Sequence, residues 1–354
     1  MLYTNNRRKY FIQKLIILLV LLLICIISVT IGVAKISALD TVKILMSKIP
    51  VLGKRVDVSN IPPSAKAIIL NLRTPRVIMA AFVGMGLSLC GGVYQGMLKN
   101  QMADPYVLGI SSGAAFFASV AIVFGRNINF GFASSVYIFA FFGSVLTTIL
   151  VYMISRTGGR LPAATLLLTG VAFHFLMSAG INFLLMFNRE MADRIVLWNM
   201  GSLSNSTWNS VMITVPVVII CSILILFNAK NLNVLSIDEP TAKSLGVDVE
   251  KNKIMMLIIT ALIVAVCVSA CGVIGFVGLV IPHITRILYK PDHRILLPFS
   301  ALFGALFLVV CDLLARNLMN WLKGFSSEMP VGAITSAFGA PFFIWLLIKK
   351  KKNV

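Results

Sequence analysis

Long stretches of the chain carry no charged side chain: 15–34, 77–98, 105–125, 127–155, 161–188, 210–229, 254–285 and 295–311. A helix crosses the hydrocarbon core of a bilayer with about 20 apolar residues, and most of these runs meet that length once. The run 254–285 is too long for one crossing and too short for two full ones. Gly272, Gly275, Gly278 and Pro282 interrupt its second half, so it reads as one full span followed by a short or broken one. With a last apolar stretch at 329–348, the pattern predicts an all-α membrane protein of about ten transmembrane helices, several of them short or broken, the first at about 12–34.

The longest polar stretches, 35–66, 189–209 and 230–253, are too small to hold a core of their own, so residues 1–354 read as a single polytopic domain. In 230–253, Asp238 and Glu239 precede Pro240, and Gly246 follows the stretch TAKSLG. Acidic residues and proline at a helix start and glycine at its end are ordinary boundary signals. A short capped helix in this loop suggests a docking surface for a cytoplasmic partner, with a solvated linker as the plain alternative.

Composition supports the membrane reading. The chain is 58% hydrophobic and 12% charged, whereas soluble domains carry about 25% charged residues. A net charge of +19 in a soluble protein would point to nucleic acid; here it follows the membrane pattern and no nucleic-acid partner is implied. Lys and Arg are more numerous on the segments that a ten-span arrangement leaves inside, as the positive-inside rule requires, which makes both termini cytoplasmic. Arg7, Arg8 and Lys9 precede the first apolar run. That run is longer than a signal-peptide core and no small-residue cleavage site follows it, so it reads as the first anchor.

Catalytic motifs are missing. No phosphate loop, nucleophile elbow or H-E-x-x-H sequence occurs, so the chain is not expected to be an enzyme or to hydrolyse ATP. The six cysteines (25, 90, 221, 267, 271, 311) form no C-x-x-C pair and read as buried small hydrophobes, and no metal site is expected. Asp312 is the one acid inside an apolar span, with Arg316 placed to pair with it along one helix face. His174 is the one histidine deep in a span; His283 lies beside the Pro282 break, and His293, in a loop next to Asp292, reads as a solvated or turn residue. A proton-coupled secondary carrier needs a buried acid or histidine relay, which this inventory supports poorly. Glycine and proline punctuate the spans, and broken backbone at membrane depth is tolerated where it is buried or lines a water-filled cavity. That favours a translocation pathway over a passive anchor.

Four stretches carry a resemblance: RTPRVIMAAFVGMGLSLCGGVYQGMLKNQMADPYVLGISSGAAF, LGVDVEKNK, GVIGFVGLVIPHITRILYKPDHRILLPFSALFGALFLVVCDLLAR and EMPVGAITSAFGAPFFIWLL. They resemble, in order, the FecCD-type permeases, the membrane subunits of type II ABC importers for iron-siderophores, haem and vitamin B12. The resemblance implies ten helices and a pathway between this chain and a second permease subunit. It also implies two ATPase subunits holding ATP and Mg, an extracytoplasmic substrate-binding protein, and residence in the bacterial cytoplasmic membrane. No cofactor is implied in this chain. The implied substrate is an iron-siderophore-type chelate moved by alternating access, with haem or cobalamin as the alternative. Asp238, Glu239, Thr241, Ala242, Leu245, Gly246 and Val247 match the ATPase-coupling segment. Arg73, Arg76 and Arg316 match arginines that dock the binding protein. Asn100 and Met102, with Ala163 and Ala164 after Pro162, match the cytoplasmic gate; Gln101 stands where relatives commonly carry proline.

Overall fold

The computed structural model describes residues 7–48, 53, 56–125, 133–236, 244, 246, 248–324 and 327–352. Among them every regular element is helical: α1 (Arg7–Thr30), α2 (Ala38–Ser47), α3 (Pro63–Met97), α4 (Ile110–Phe124), α5 (Ser135–Ser155), α6 (Ala163–Phe187), α7 (Ala192–Asn199), α8 (Trp208–Phe227), α9 (Ala229–Leu235), α10 (Val249–Cys271), α11 (Val277–Tyr289), α12 (His293–Lys323) and α13 (Val331–Lys352). Seven of these helices are long and apolar enough to cross a membrane, and α4, α11 and α13 are shorter apolar helices. The first helix begins and ends earlier than the 12–34 run, because its basic first turn is helical and residues 32–34 form bends.

Helices α3, α10 and α12 form the centre: 78%, 72% and 67% of their most apolar windows are buried, against 17% for α1 and 11% for α6. Glycine makes the central crossing possible. A Cβ on Gly84 would meet the Gly304 carbonyl, and one on Gly91 would meet the Gly278 backbone. In a membrane, where lipid is as apolar as leucine, such close backbone approach supplies much of the packing energy. The polar side chains of α3 bond its neighbours. Ser88 Oγ donates to Ser300 O (2.8 Å), Thr260 Oγ1 to Tyr94 Oη (2.8 Å), and Gln95 Nε2 to Leu279 O (3.2 Å).

The 254–285 run divides as its glycines predict. Helix α10 ends at Cys271, Gly272 turns at φ +70°, and α11 starts after Phe276 at φ +68°. At 1.5 Å per residue, the 13 residues of α11 span only about 20 Å. The free backbone between the helices is buried and bonded: Cys271 O accepts from Ser202 N–H (2.7 Å) and Ile274 O from Tyr106 Oη–H (2.7 Å). Proline 105 opens a 3-10 turn, Pro105–Leu108, rather than the third helix; Gly109, at φ +76°, separates the two. The GISSGAA stretch then packs closely, Gly113 lying against Gly143 and Thr147 of α5.

Candidate functional sites at the two ends of the bundle

Contacts gather the segments 98–104, 156–162, 228–236 and 290–292 at one end of the bundle: Leu161 meets Glu250, Asn231 meets Asn252, Asn233 meets Asp292 and His293, and His293 rests against Gly96 near the end of α3. The charge pattern predicts this end to be the cytoplasmic one, and inner and outer follow that expectation.

Three arginines meet at the outer end. Helix α1 leaves its last carbonyls without intrahelical donors, at the negative end of its dipole. Arg73 donates to Val29 O (3.0 Å), Thr30 O (2.7 Å) and Ala34 O (2.7 Å), and Arg316 donates to Ser28 O (3.0 Å) and Ser28 Oγ (2.5 Å). Arg76 donates through Nε to Asp312 Oδ1 (2.9 Å) and through a terminal nitrogen to Glu328 Oε2 (2.7 Å). Arg316 Nε lies 3.1 Å from Asp312 Oδ2, the predicted one-turn pair. Asp312 is wholly buried and each arginine is at most 7% exposed, while the Glu328 side chain is 39% exposed. Three cations thus face two carboxylates, and the carbonyl end of α1 offsets the remainder. The three guanidiniums expected to face a docking protein point into the molecule, and Glu328 is the member of the cluster open to solvent.

Beside Glu328 lies a cavity of about 770 Å³, lined in part by Ser134, Tyr137, Arg194, Trp198 and Ser202. Ser134, Ser202, Asn205 and Thr207 set hydroxyl and amide groups into a lining that is mainly apolar, and no trio of His, Cys, Asp or Glu that could hold a metal occurs among the described residues.

At the inner end, Asn100 Oδ1 accepts from Met102 N–H (2.9 Å), and both residues are exposed. Asp104 caps the following 3-10 turn by accepting from Tyr106 N–H (2.8 Å). Burial pushes its carboxyl up to about 6, against the downward pull of that hydrogen bond. Ala163 and Ala164 open α6, the first half-buried and the second exposed. The turn before them is tight: Thr157 and Arg160 exchange N–H···O bonds of 3.0 Å across Gly158 and Gly159, both with positive φ. Positive φ at both central positions is what glycine permits at no steric cost.

Leu161, the next residue, is held from α10. Its N–H donates to Glu250 Oε2 (2.9 Å) and its carbonyl accepts from Lys253 Nζ (3.4 Å), while Lys253 and Glu250 pair at 3.5 Å. Of the expected coupling segment, Gly246 is described, in a turn at φ +79°. Asp238, Glu239, Thr241, Ala242, Leu245 and Val247 lie outside the described residues. The flanking helix α9 is anchored on both sides. Asn231 Nδ2 donates to Asn252 Oδ1 (3.1 Å), and Asn233 donates to Asp292 Oδ1 (2.7 Å) while accepting from His293 N–H (2.7 Å).

His293 is therefore no solvated loop residue: it opens α12, is 1% exposed, and rests against Gly96. Partial burial raises Asp292, but Arg294 and Asn233 outweigh it and hold its carboxyl down at about 2. His174 is exposed on α6, with its ring edge against Phe175. All six cysteines are free, five buried and Cys25 half-buried. Sequence reading missed the grip of Glu250 and Lys253 on Leu161, the link from Arg76 to Glu328, and the double anchor of Asn233. Glu250 and Lys253 are visibly one turn apart, but nothing local points to Leu161, 89 positions away.

Residues 19–349 match the FecCD transport family. The chain is 41% identical over 287 residues to the cobalamin import system permease protein BtuC of Halobacterium salinarum, covering 81% of this chain and 75% of that one. It is 38% identical to the hemin transport system permease protein HmuU of Yersinia pestis, covering 80% and 84%. A solved inward-facing conformation of a metal-chelate type ABC transporter overlays it with a TM-score of 0.80 at 30% identity, covering 95% of this chain and 98% of that one. With the family matched along nearly its whole length and the helical bundle shared, the chain belongs to the FecCD transport family of ABC transporter permeases.

Proposed function

We propose that this chain is the membrane subunit of an ATP-driven importer that moves an intact iron-siderophore-type chelate inward by alternating access. The observation that carries the reading is the family match over residues 19–349. The outer cavity supports a bulky organic solute, because its mainly apolar lining carries a few hydroxyl and amide groups that can meet such a solute's polar periphery. Cobalamin or haem is the second reading, favoured by the names of the relatives at 41% and 38% identity.

In this reading the seven long helices and the three shorter ones make ten crossings of a bacterial cytoplasmic membrane, with both termini inside. A second permease subunit covers the apolar face of α6, where Leu168, Phe175 and Phe183 are 64% exposed or more. ATP and Mg sit on two separate ATPase subunits, which engage the segment from Asp238 to Val247. The turns around Asn100 and Met102 and around Ala163 and Ala164 form the inner gate. An extracytoplasmic binding protein docks on the outer rim around Arg73, Arg76 and Arg316, whose guanidiniums must leave their present intrachain partners to meet it. Because Glu328 occupies Arg76, docking there requires a partner carboxylate to exchange with it.

The test is uptake by proteoliposomes holding the permease, its ATPase and its binding protein, offered ferric siderophores, haemin and cobalamin in turn. ATP-dependent uptake of a ferric siderophore is expected. Uptake of haemin or cobalamin alone would select the second reading, and uptake that follows a proton gradient without ATP would overturn both.

A further inference from the structure

Leu161 sits between a closed turn and the start of a helix, and both faces of its peptide are held by a different part of the chain. Its N–H is bonded to a carboxylate and its carbonyl to an ammonium, both from the first two turns of α10 and paired with each other. Leu161 is 3% and Lys253 8% exposed, while the Glu250 side chain is 23% exposed, so the contact is partly shielded from water. The Glu250 bond, at 2.9 Å, is charge-assisted, a class about twice as strong as neutral bonds, and the longer Lys253 contact at 3.4 Å holds the other face. Holding one residue from both faces fixes the peptide in direction as well as position, which apolar packing does not do.

The two sides of the contact differ in rigidity. Helix α10 belongs to the buried centre and α6 to the least enclosed part of the bundle. The turn before Leu161 is closed by its own pair of backbone bonds, and Leu166 N–H returns to Pro162 O (3.1 Å). Turn 156–162 and the start of α6 are therefore one stiff unit, fastened to α10 at Leu161. Helix α10 follows directly on the loop after α9, and Asp248 caps it by accepting from Lys251 N–H (3.1 Å). Its first turn is thus a folded continuation of that loop.

We infer that Glu250 and Lys253 are positioning residues that transmit displacement of the first two turns of α10 to turn 156–162, and so to the start of α6. The inference rests on the reading of the chain as an ATP-driven permease whose 230–253 loop meets the ATPase. A carboxylate and an ammonium gripping one peptide carry both pushing and pulling, which a gate driven in two directions requires. The effect does not depend on which chelate is carried.

The test uses the full assembly of permease, ATPase and binding protein in nanodiscs, with paired spin labels. Label positions are Thr157→Cys or Lys251→Cys, each measured against Gln101→Cys, in a background where the half-buried Cys25 is serine. All three label positions are exposed. In the otherwise native chain, both distances are expected to shift when ATP is added with vanadate. In the E250A/K253M double variant the Lys251 distance still shifts and the Thr157 distance no longer does. The E250D/K253R variant, which keeps both charges, restores the Thr157 shift. A merely structural role would weaken both shifts together or melt the assembly, whereas the inference requires them to separate. If the Thr157 shift survives in E250A/K253M, the clamp is not the link and the inference is overturned. If neither distance responds to ATP in the native chain, the permease reading itself falls, and the inference with it.

Discussion

Asp312 is the group whose removal the structure makes most costly. It is wholly buried, accepts from Arg76 at 2.9 Å and pairs with Arg316 at 3.1 Å. Replacing it by asparagine keeps the shape and removes the charge, leaving two buried guanidiniums without their shared partner. Breaking a buried pair by removing one member costs about 3–5 kcal/mol. Here the lower end applies, because Arg76 keeps Glu328 and Arg316 keeps Ser28. Asp312→Asn is thus expected to lower the unfolding free energy by about 3 kcal/mol. The assay is equilibrium unfolding of the purified chain in mixed micelles, followed by tryptophan fluorescence. Arg76→Met is expected to cost a similar amount, because it removes the hydrogen-bonded partner of Asp312 and leaves that carboxylate with Arg316 alone. Once Asp312 is gone, removing Arg76 strands little more, so the double variant is expected to fall short of the sum by roughly 1–3 kcal/mol. A loss below about 1 kcal/mol for Asp312→Asn, the range of an exposed pair, would refute the reasoning. So would additive single and double variants.

Three further outcomes follow from the geometry. Gly84→Ala drives a Cβ into the Gly304 carbonyl, so overpacking of roughly 1–3 kcal/mol is expected to reduce the monodisperse yield in size-exclusion chromatography. Glu328→Gln removes a 39% exposed competitor from Arg76; stability is expected to change by less than about 1 kcal/mol, while the binding protein docks about two- to fivefold more tightly, as read by surface plasmon resonance. For Asp104 the folded carboxyl lies near 6, above its unfolded value of about 3.9. Its contribution to stability is full below pH 4 and lost as the pH rises through 6. A pH series of thermal melts should show the native chain losing about 1–2 kcal/mol relative to Asp104→Asn between pH 4 and 6.5. A flat difference over that range would show the carboxyl to be ordinary.

The all-helical membrane character was legible because charge-free runs of spanning length are set by the bilayer itself. The break after Cys271 was legible because glycine and proline mark it. The inward direction of Arg73, Arg76 and Arg316 was not, because it depends on the open carbonyls of α1 and on Glu328, far along the chain. The misreading of His293 has the same origin. Next to Asp292 and after a proline it looks like a loop residue, but Gly96 leaves room for an imidazole over α3, and Asn233 supplies its hydrogen bond. The one-turn spacing of Asp312 and Arg316 was visible from periodicity, whereas Arg76, 236 positions away, was not. Local pairs follow from helix geometry; contacts between helices require the fold.

The central claim, that this chain carries a metal chelate inward on ATP hydrolysed by partner subunits, is tested most directly by uptake of radio-iron as a ferric hydroxamate. Proteoliposomes would hold the permease, its ATPase and its binding protein, with and without ATP, and with a protonophore. Uptake that requires ATP and is untouched by the protonophore is the predicted result. Uptake that proceeds without ATP and collapses with the protonophore would contradict the account.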